Sequence, residues 1–257
     1  MRHPFIISNW KLNGNKIMLI NFIQELCSDL SYDYQCNIVI APPTIYLDTA
    51  KQHLKNSNIK LAAQNIDIHL SGAFTGEISA EMLKDIGVSF IIIGHSERRI
   101  YHKENITDII KKIVISKKFK LTPILCIGEN KEENIKNQTK NICIQQLEII
   151  INTLSIKTLK NSIIAYEPAW AIGSGTSANP CYVQKIHKSI RNYIADYDKN
   201  IAEKTHLLYG GSVNIDNAHN LLNQPDIDGL LVGNASLNSI TFSKIIKIAN
   251  KIKFSKN

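Results

Sequence analysis

The sequence has 257 residues, of which 44% are hydrophobic and 20% charged, a composition typical of a globular protein. No apolar run approaches the roughly 18 residues of a membrane helix, and the N-terminus lacks a basic region followed by an apolar one, so we expect neither a membrane span nor a secretion signal. The five cysteines are scattered and form no Cys-x-x-Cys pair. This pattern argues against a disulfide framework or a zinc site and predicts a cytoplasmic protein.

The net charge of +8 raises the question of a nucleic-acid ligand. Only four of the 30 basic residues are arginines, and the lysines are spread along the chain rather than clustered. Lys, Asn and Ile are all encoded by A/T-rich codons, so a low-GC genome accounts for the excess. We therefore predict no nucleic-acid partner, because such a partner requires a clustered basic patch.

Short, β-branched strand candidates alternate with longer segments of helical periodicity along the whole chain. The predicted strands are 5–8, 37–40, 60–63, 90–93, 121–127, 162–166, 205–209 and 229–232. The predicted helices cover roughly 16–30, 45–55, 104–118, 129–154, 182–196, 215–222 and 242–252. Most strands are near-continuous apolar runs, which is typical of a parallel sheet buried on both faces.

Eight strand–helix units fit either a closed (β/α)8 barrel or an open doubly wound sheet. Polar and glycine-rich residues follow strands one, four, six, seven and eight. An active face built all around the carboxyl ends of the strands is what a barrel requires. With no linker or break in composition, we predict an α/β fold with one domain over 1–257, a single barrel of eight parallel strands ringed by helices.

Glu167 directly follows an apolar predicted strand and precedes Pro168. A carboxylate that is partly desolvated at a barrel mouth is a strong general base, although a solvated loop acid is the simpler alternative. The stiff 168–170 segment and the small residues of 171–178 predict a lid that closes over a substrate; an ordinary flexible loop is the other interpretation.

His95 follows strand four, and Ser96 is a candidate cap for the next helix. The positive end of a helix disfavours an imidazolium, so His95 would be a neutral donor to a substrate carbonyl; a structural histidine is the alternative. Asn9 and Lys11 alternate with Trp10 and would share one side of an extended chain. Lys11 then needs an anionic partner, unless it reaches out to the rim.

Three glycine-rich turns, at 173–175, 210–212 and 233–236, offer backbone N–H groups to an anion. Two of them follow strands seven and eight, where barrels often bind phosphate. The first also matches the dinucleotide pattern G-x-G-x-x-A, with Asp196 about twenty residues further on. Six residues, 167–172, separate the predicted strand from Gly173, whereas that fingerprint requires the glycine directly after a strand, so we reject the match.

These motifs together resemble the triosephosphate isomerase family. The segments that carry the resemblance are 9–11 (NWK), 41–43 (APP), 63–65 (AQN), 71–77 (SGAFTGE), 93–99 (IGHSERR), 126–129 (CIGE), 165–173 (AYEPAWAIG), 209–213 (YGGSV) and 228–233 (DGLLVG). They occur in the order of the family and span nearly the whole chain. The resemblance implies a TIM barrel and the interconversion of dihydroxyacetone phosphate and glyceraldehyde 3-phosphate, in glycolysis and gluconeogenesis, without cofactor or metal.

The resemblance also implies the role of each site residue. Glu167 would be the catalytic base, His95 the electrophile, and Lys11 with Asn9 the groups that bind substrate and stabilise an enediolate. Glu97 would orient the site through Lys11. The phosphate would accept hydrogen bonds from Gly173, Ser212, Gly233 and Asn234. Cys126 matches a cysteine that lies behind the site in the family, and we interpret it as a packing residue.

Two positions depart from the family pattern. Asn234 stands where the family usually has Gly, and Thr176 where it usually has Lys. Asn tolerates left-handed backbone, so we expect the phosphate site to survive; Thr176 would affect the lid rather than the chemistry. The family is dimeric, and exposed Phe74 lies in a segment that resembles the loop inserted into the neighbouring subunit, which implies a homodimer.

Three other functions remain as alternatives. A phosphate-binding barrel could act as an aldolase, with Lys11 forming a Schiff base. The chain could also be a scaffold whose site has decayed, or a basic surface module. The presence of every proton-handling residue argues against decay, and trapping with borohydride in the presence of substrate would identify an aldolase.

Overall fold

The structure is a computed structural model that describes residues 2–30, 34–171 and 177–254. Eight parallel strands form a closed barrel in sequence order, because β1 pairs with both β2 and β8. The strands are β1 Phe5–Asn9, β2 Asn37–Ala41, β3 Lys60–Ala63, β4 Phe90–Ile93, β5 Thr122–Ile127, β6 Ile163–Tyr166, β7 His206–Tyr209 and β8 Gly229–Val232. The predicted barrel is thereby confirmed, and the open-sheet alternative is wrong.

Eleven α-helices in the described chain surround the barrel. They are α1 Lys16–Asp29, α2 Leu47–His53, α3 Ala80–Asp85, α4 Ser96–Tyr101, α5 Ile106–Lys118, α6 Lys131–Ile135, α7 Thr139–Leu154, α8 Pro180–Tyr197, α9 Lys199–Lys204, α10 Ile215–Leu222 and α11 Ser239–Phe254. Short 3-10 helices cover Thr44–Tyr46, Ile156–Leu159, Ala169–Ala171 and Asn234–Leu237.

The predicted strands agree with the structure to within one residue at each end. The predicted helix ranges omit α3, α4 and α9 and merge α6 with α7, although a helix start near Ser96 was expected. The break between α6 and α7 has a local cause, since Asn137 adopts a left-handed backbone with φ 55°. Asparagine is one of the few residues that enter this region readily, and a helix cannot continue through it. The helical periodicity on either side conceals this break.

Two apolar layers hold the barrel together. The inner layer fills the barrel with side chains such as Ile7, Ile92, Ile124 and Leu208, and the outer layer packs strand side chains against the helices. The inner-facing residues alternate along each strand, as the two-residue period requires. The same alternation continues at the carboxyl ends of β1 and β6. It places Asn9 and Glu167 at the carboxyl face of the barrel.

Within residues 2–30, 34–171 and 177–254, no helix combines the length and the hydrophobicity that a transmembrane span requires. Among the same residues, no group of three or more His, Cys, Asp or Glu side chains is placed to hold a metal ion.

Candidate active site

A cavity of about 410 Å³ opens at the carboxyl ends of the strands. Seven residues that the sequence singled out line it, namely Asn9, Lys11, His95, Glu167, Ser212, Gly233 and Asn234. They come from the segments that follow β1, β4, β6, β7 and β8. The structure therefore brings together residues that are up to 225 positions apart in the chain. Gly173 and Thr176, with the middle of the expected lid, lie outside the described residues.

Glu167 is the most enclosed acid of this cavity, with 2% of its surface exposed. Its carboxylate Oε2 accepts a hydrogen bond of 3.1 Å from the backbone N–H of Ser96. Its Oε1 lies 3.1 Å from Nε2 of His95 without hydrogen-bond alignment, and has no hydrogen-bond partner among the described residues. One carboxylate oxygen is thus anchored while the other is buried and free to accept a proton.

Two glycines allow the chain to pack closely around Glu167. A Cβ at Gly128 would lie 2.0 Å from the backbone oxygen of Glu167, and one at Gly210 would lie 2.9 Å from its Cγ. Both positions therefore exclude any side chain without a shift of the backbone that carries the carboxylate. Glycines at these strand ends position Glu167 through their lack of a side chain rather than through conformational freedom.

His95, which is 6% exposed, caps helix α4. Its Nδ1 accepts a hydrogen bond of 3.2 Å from the backbone N–H of Glu97, so this nitrogen carries no proton in that arrangement. The proton of the neutral ring is then on Nε2, which faces Glu167. The prediction that Ser96 caps this helix is wrong, because Ser96 is its first residue and contributes its backbone N–H to Glu167 instead.

Lys11 reaches the cavity from a turn rather than from an extended strand. Its backbone is left-handed, with φ 53°, and its N–H donates to Oδ1 of Asn9 over 3.1 Å. The Lys11 ammonium forms an ion pair with the Glu97 carboxylate. Asn9 and Lys11 both line the cavity, as the sequence predicted, but this turn and not a continued two-residue alternation places Lys11 there.

The turns after β7 and β8 also line the cavity, next to the turn that carries Lys11. Ser236 fixes the second turn, because its hydroxyl interacts with the backbone oxygens of Val232 and Gly233. Asn234 begins the 3-10 helix Asn234–Leu237 and is exposed. It is absent from the described residues with positive φ, so the left-handed backbone considered for it is not adopted and the turn tolerates a side chain without strain.

The family model described as triosephosphate isomerase matches residues 4–249 of the chain. The chain is 58% identical over 254 residues to the triosephosphate isomerase of Baumannia cicadellinicola subsp. Homalodisca coagulata, covering 98% of this chain and 99% of the relative. It is 55% identical to that of Blochmanniella pennsylvanica, covering 98% of each chain, and 53% identical to that of Sodalis glossinidius, covering 98% of this chain and 99% of the relative. The chain belongs to the triosephosphate isomerase family.

In this member of the triosephosphate isomerase family, Cys126 lies inside the barrel near Glu167. It is 1% exposed and belongs to the inner apolar layer, as the packing role predicts. Burial, together with the negative charge of Glu167, raises the pKa of the Cys126 thiol well above its usual value. The thiol therefore stays protonated and serves as a neutral neighbour of the carboxylate.

Glu129 organises the segment that leads from Glu167 toward the expected lid. Its Oε1 accepts a hydrogen bond of 2.7 Å from Nε1 of Trp170 and one of 3.2 Å from the hydroxyl of Tyr166. Burial raises the pKa of the Glu129 carboxyl. The residues from β6 to Ala171 are thus attached to the end of β5 before the chain reaches the residues that the structure does not describe.

Sequence reasoning missed the part that three residues play in this cavity, and Ser96, expected only as a helix cap, is one of them. Besides Ser96, these are Gln64, whose side chain donates to the backbone oxygens of Lys11 and Ala41, and Asn13, which lines the cavity and donates to the backbone oxygen of Trp10. Gln64 lies in the segment 63–65, which resembles the family, and that resemblance was the signal that could have indicated its role. For Asn13 and the Ser96 amide no sequence pattern marks a role, because each acts through backbone contacts that only the folded chain creates.

Proposed function

We propose that the chain interconverts dihydroxyacetone phosphate and D-glyceraldehyde 3-phosphate through an enediolate, as its family and relatives imply. One observation carries the assignment of its chemistry to particular residues. It is the juxtaposition, inside the cavity, of a buried and unpartnered carboxylate oxygen on Glu167 with Nε2 of His95 at 3.1 Å. A base and a neutral donor that face the same space suit proton transfer between two adjacent carbons and their oxygens.

In this proposal Oε1 of Glu167 removes a proton from the carbon next to the substrate carbonyl. The Nε2–H of His95 donates a hydrogen bond to the carbonyl oxygen, on which negative charge develops. The same carboxyl group returns the proton to the neighbouring carbon, while His95 gives a proton to the former carbonyl oxygen and takes one from the neighbouring hydroxyl oxygen, so the reaction is a redistribution of hydrogen within one molecule. No net oxidant, reductant or cofactor is consumed, and catalysis consists of stabilising the enediolate.

Lys11 and Asn9 are proposed as substrate-binding groups, with Lys11 also stabilising the enediolate by its charge. The ion pair between Lys11 and Glu97 supports this role, because it holds the ammonium group at the cavity wall. A Schiff-base aldolase needs an uncharged amine, which an ion-paired ammonium does not offer. Borohydride trapping of the chain with its substrate is expected to give no covalent adduct.

The phosphate of the substrate is proposed to bind the turns that carry Ser212, Gly233 and Asn234, together with Gly173. Consecutive backbone N–H groups in such turns form a concave donor site for an anion. The positive net charge of the chain supports attraction of a doubly charged substrate to this end of the barrel. Closure of the segment around Gly173 would exclude water, which protects an enediolate from loss of phosphate.

The decisive experiment is a coupled assay that follows glyceraldehyde 3-phosphate conversion by the wild type and by Glu167→Gln. The amide cannot accept the proton, so we expect kcat to fall at least about a thousandfold while the thermal midpoint changes little. Glu148→Gln, a change at an exposed residue of α7, is the matched control and should keep full activity. Slow turnover in both variants and the wild type would refute the proposed function.

We also propose that residues 1–257 form one domain that works as a homodimer. Exposed apolar side chains support the dimer, since many of them lie in the segments that follow the first four strands; they include Leu12, Ile45, Leu70, Phe74, Met82 and Tyr101. Phe74 stacks on His69 at a ring-centroid distance of 3.5 Å and remains 42% exposed. Such a cluster of exposed apolar surface favours a protein partner.

A cytoplasmic location is proposed on the chemistry of the cysteines. All five are unpaired thiols, and Cys36, Cys126 and Cys143 are buried. Free thiols of this kind are typical of proteins kept in a reducing compartment.

A further inference from the structure

A second cavity lies at the end of the barrel opposite the active site. It has a volume of about 740 Å³, compared with about 410 Å³ for the active-site cavity. Its floor contains the first residues of five strands, namely Phe5, Phe90, Thr122, Ile163 and His206. The opening is therefore set at the amino ends of the strands, and nothing in the isomerase chemistry uses it.

Four lysines line one side of this cavity, and each lies in a segment that leads into a strand. Lys117 and Lys120 lie before β5, Lys160 before β6 and Lys204 before β7. Because these three strands are neighbours in the barrel, the lysines form an arc around one rim. We call this set, Lys117, Lys120, Lys160 and Lys204, the lysine arc.

The lysine arc is not neutralised by the protein. The described residues that line the cavity include no Asp or Glu. The lysine ion pairs found in the described chain involve Lys11, Lys112 and Lys247 instead. Like charges held around one concavity repel each other, and a bound anion removes this repulsion.

Lys117 is built into the rim rather than extended into solvent. Its ammonium group donates to the backbone oxygens of Lys160 and Asn161, which ties the segment before β5 to the segment before β6. Burial lowers the pKa of Lys117 to about 8. An anionic partner stabilises a half-buried ammonium group that contacts only neutral carbonyls more than it stabilises a fully solvated one.

The cavity floor is aromatic. The rings of Phe5 and His206 meet edge to face at a centroid distance of 4.9 Å, and Phe5 also packs on Phe90 at 5.8 Å. All three rings are half-buried, so each keeps some surface toward the cavity. Nε2 of His206 lies 3.1 Å from the backbone oxygen of His3, and burial lowers the pKa of this histidine, which leaves a neutral aromatic ring.

We propose that this cavity is a second binding site, for a nucleoside polyphosphate, with the phosphates on the lysine arc and the base against the aromatic floor. The volume lies within the range of small-molecule sites. Four positive charges match the charge of a triphosphate, and an aromatic base packs favourably on half-exposed rings. The site is distinct from the active site, since the two cavities share no lining residue.

The test is isothermal titration calorimetry of the full chain with adenosine triphosphate, without added metal, at physiological salt. Phosphoglycolate, an enediolate mimic, is present at saturation to occupy the active site. We expect one nucleotide to bind per chain, with the same affinity in the presence and absence of phosphoglycolate. Loss of nucleotide binding when phosphoglycolate is added would assign it to the active-site phosphate pocket and overturn the proposal.

Paired variants separate a specific site from general surface charge. Lys160→Gln with Lys204→Gln should weaken nucleotide binding at least about tenfold, because two charges next to the phosphates are lost. Lys185→Gln with Lys188→Gln removes the same charge from the exposed face of α8 and should change affinity less than about twofold. Equal losses in the two double variants would overturn the proposal. Both should keep isomerase activity, which makes this test independent of the proposed function.

Two further probes test the aromatic floor. Inorganic tripolyphosphate should bind more weakly than adenosine triphosphate at equal salt, since it lacks the base, and adenosine alone should bind much more weakly than either. Equal affinity for tripolyphosphate and the nucleotide would contradict the nucleoside part of the proposal and assign an inorganic polyphosphate. Absence of binding by both at millimolar concentration would overturn the site altogether.

Discussion

His95 has two functions in this site, and its two ring nitrogens divide them. Nδ1 caps helix α4 by accepting the backbone N–H of Glu97, and Nε2 faces Glu167 across 3.1 Å. Capping therefore decides which nitrogen carries the proton, and with it which nitrogen donates to a substrate oxygen. The helix end therefore positions and orients the proposed electrophile at the same time, which links local backbone structure directly to the proposed chemistry.

At the residue scale, Asn234→Gly restores the residue usual in the family. We expect the Michaelis constant to change less than about tenfold and kcat to stay the same, because the proposed contact uses the backbone N–H and the Asn234 side chain is exposed. The measurement is steady-state kinetics of both proteins under identical conditions. A larger shift in the Michaelis constant would mean that the Asn234 amide group itself contacts the substrate.

At the scale of an element, helix α8 is attached to the barrel by a buried histidine. His187 on α8 has no exposed surface, and its Nδ1 lies 3.0 Å from the backbone oxygen of Asp226. A carbonyl oxygen can only accept, so Nδ1 carries the proton, and Nε2 has no partner among the described residues. Protonation of Nε2 would place an unpartnered charge between the helix and the sheet.

This arrangement predicts a pH dependence of stability. Burial lowers the pKa of His187 from 6.5 to about 4. Between these values the unfolded chain binds a proton that the folded chain does not, so the free energy of unfolding falls as the pH falls. From pH 7 to pH 5 we expect His187 to account for a loss of about 2 kcal/mol. Urea unfolding at a fixed protein concentration measures it.

His187→Asn keeps an N–H donor near the Asp226 oxygen and removes the titrating group. Its free energy of unfolding should therefore depend less steeply on pH between 7 and 5, by about 2 kcal/mol, whatever the absolute stability of the variant. His53→Asn, at an exposed position of α2, is the matched control and should retain the wild-type dependence. Identical slopes for His187→Asn and the wild type would contradict the prediction.

The helices that sequence reasoning missed are short. Helices α3 and α9 have six residues each, and α6 has five. Fewer than two turns leave too few positions for a 3.6-residue period to be recognised, and such helices form because they pack on the barrel. Local caps were nevertheless present in the sequence, such as Ser79 before α3 and Asp198 before α9.

At the scale of the whole molecule, the proposed homodimer depends on the exposed segment around Phe74. Phe74→Asp should convert the dimer to a monomer in sedimentation at micromolar concentration, because a charge cannot be buried in an apolar contact without a partner. Ile149→Asp is the matched control, since Ile149 on α7 has a similar exposure of 44%, and it should leave the dimer intact. A wild type that sediments as a monomer would refute the homodimer.

The pattern of the sequence was enough to predict the barrel and to single out the candidate site residues. Apolar strand runs repeat eight times with helices between them, and such a pattern admits few parallel folds. The residue types at the strand ends, above all Glu167, His95 and Lys11, are recognisable because proton transfer and anion binding require particular functional groups. Residue type and spacing are properties of the sequence, so these groups can be recognised before the structure is known.

The contacts that hold those groups in place exist only in the folded chain. The Ser96 amide on Oε2 of Glu167 and the close approach of Gly128 and Gly210 to the same residue join distant parts of the chain. The lysine arc likewise exists only once β5, β6 and β7 are neighbours. Such features depend on barrel closure, because closure alone brings residues far apart in sequence within hydrogen-bond distance.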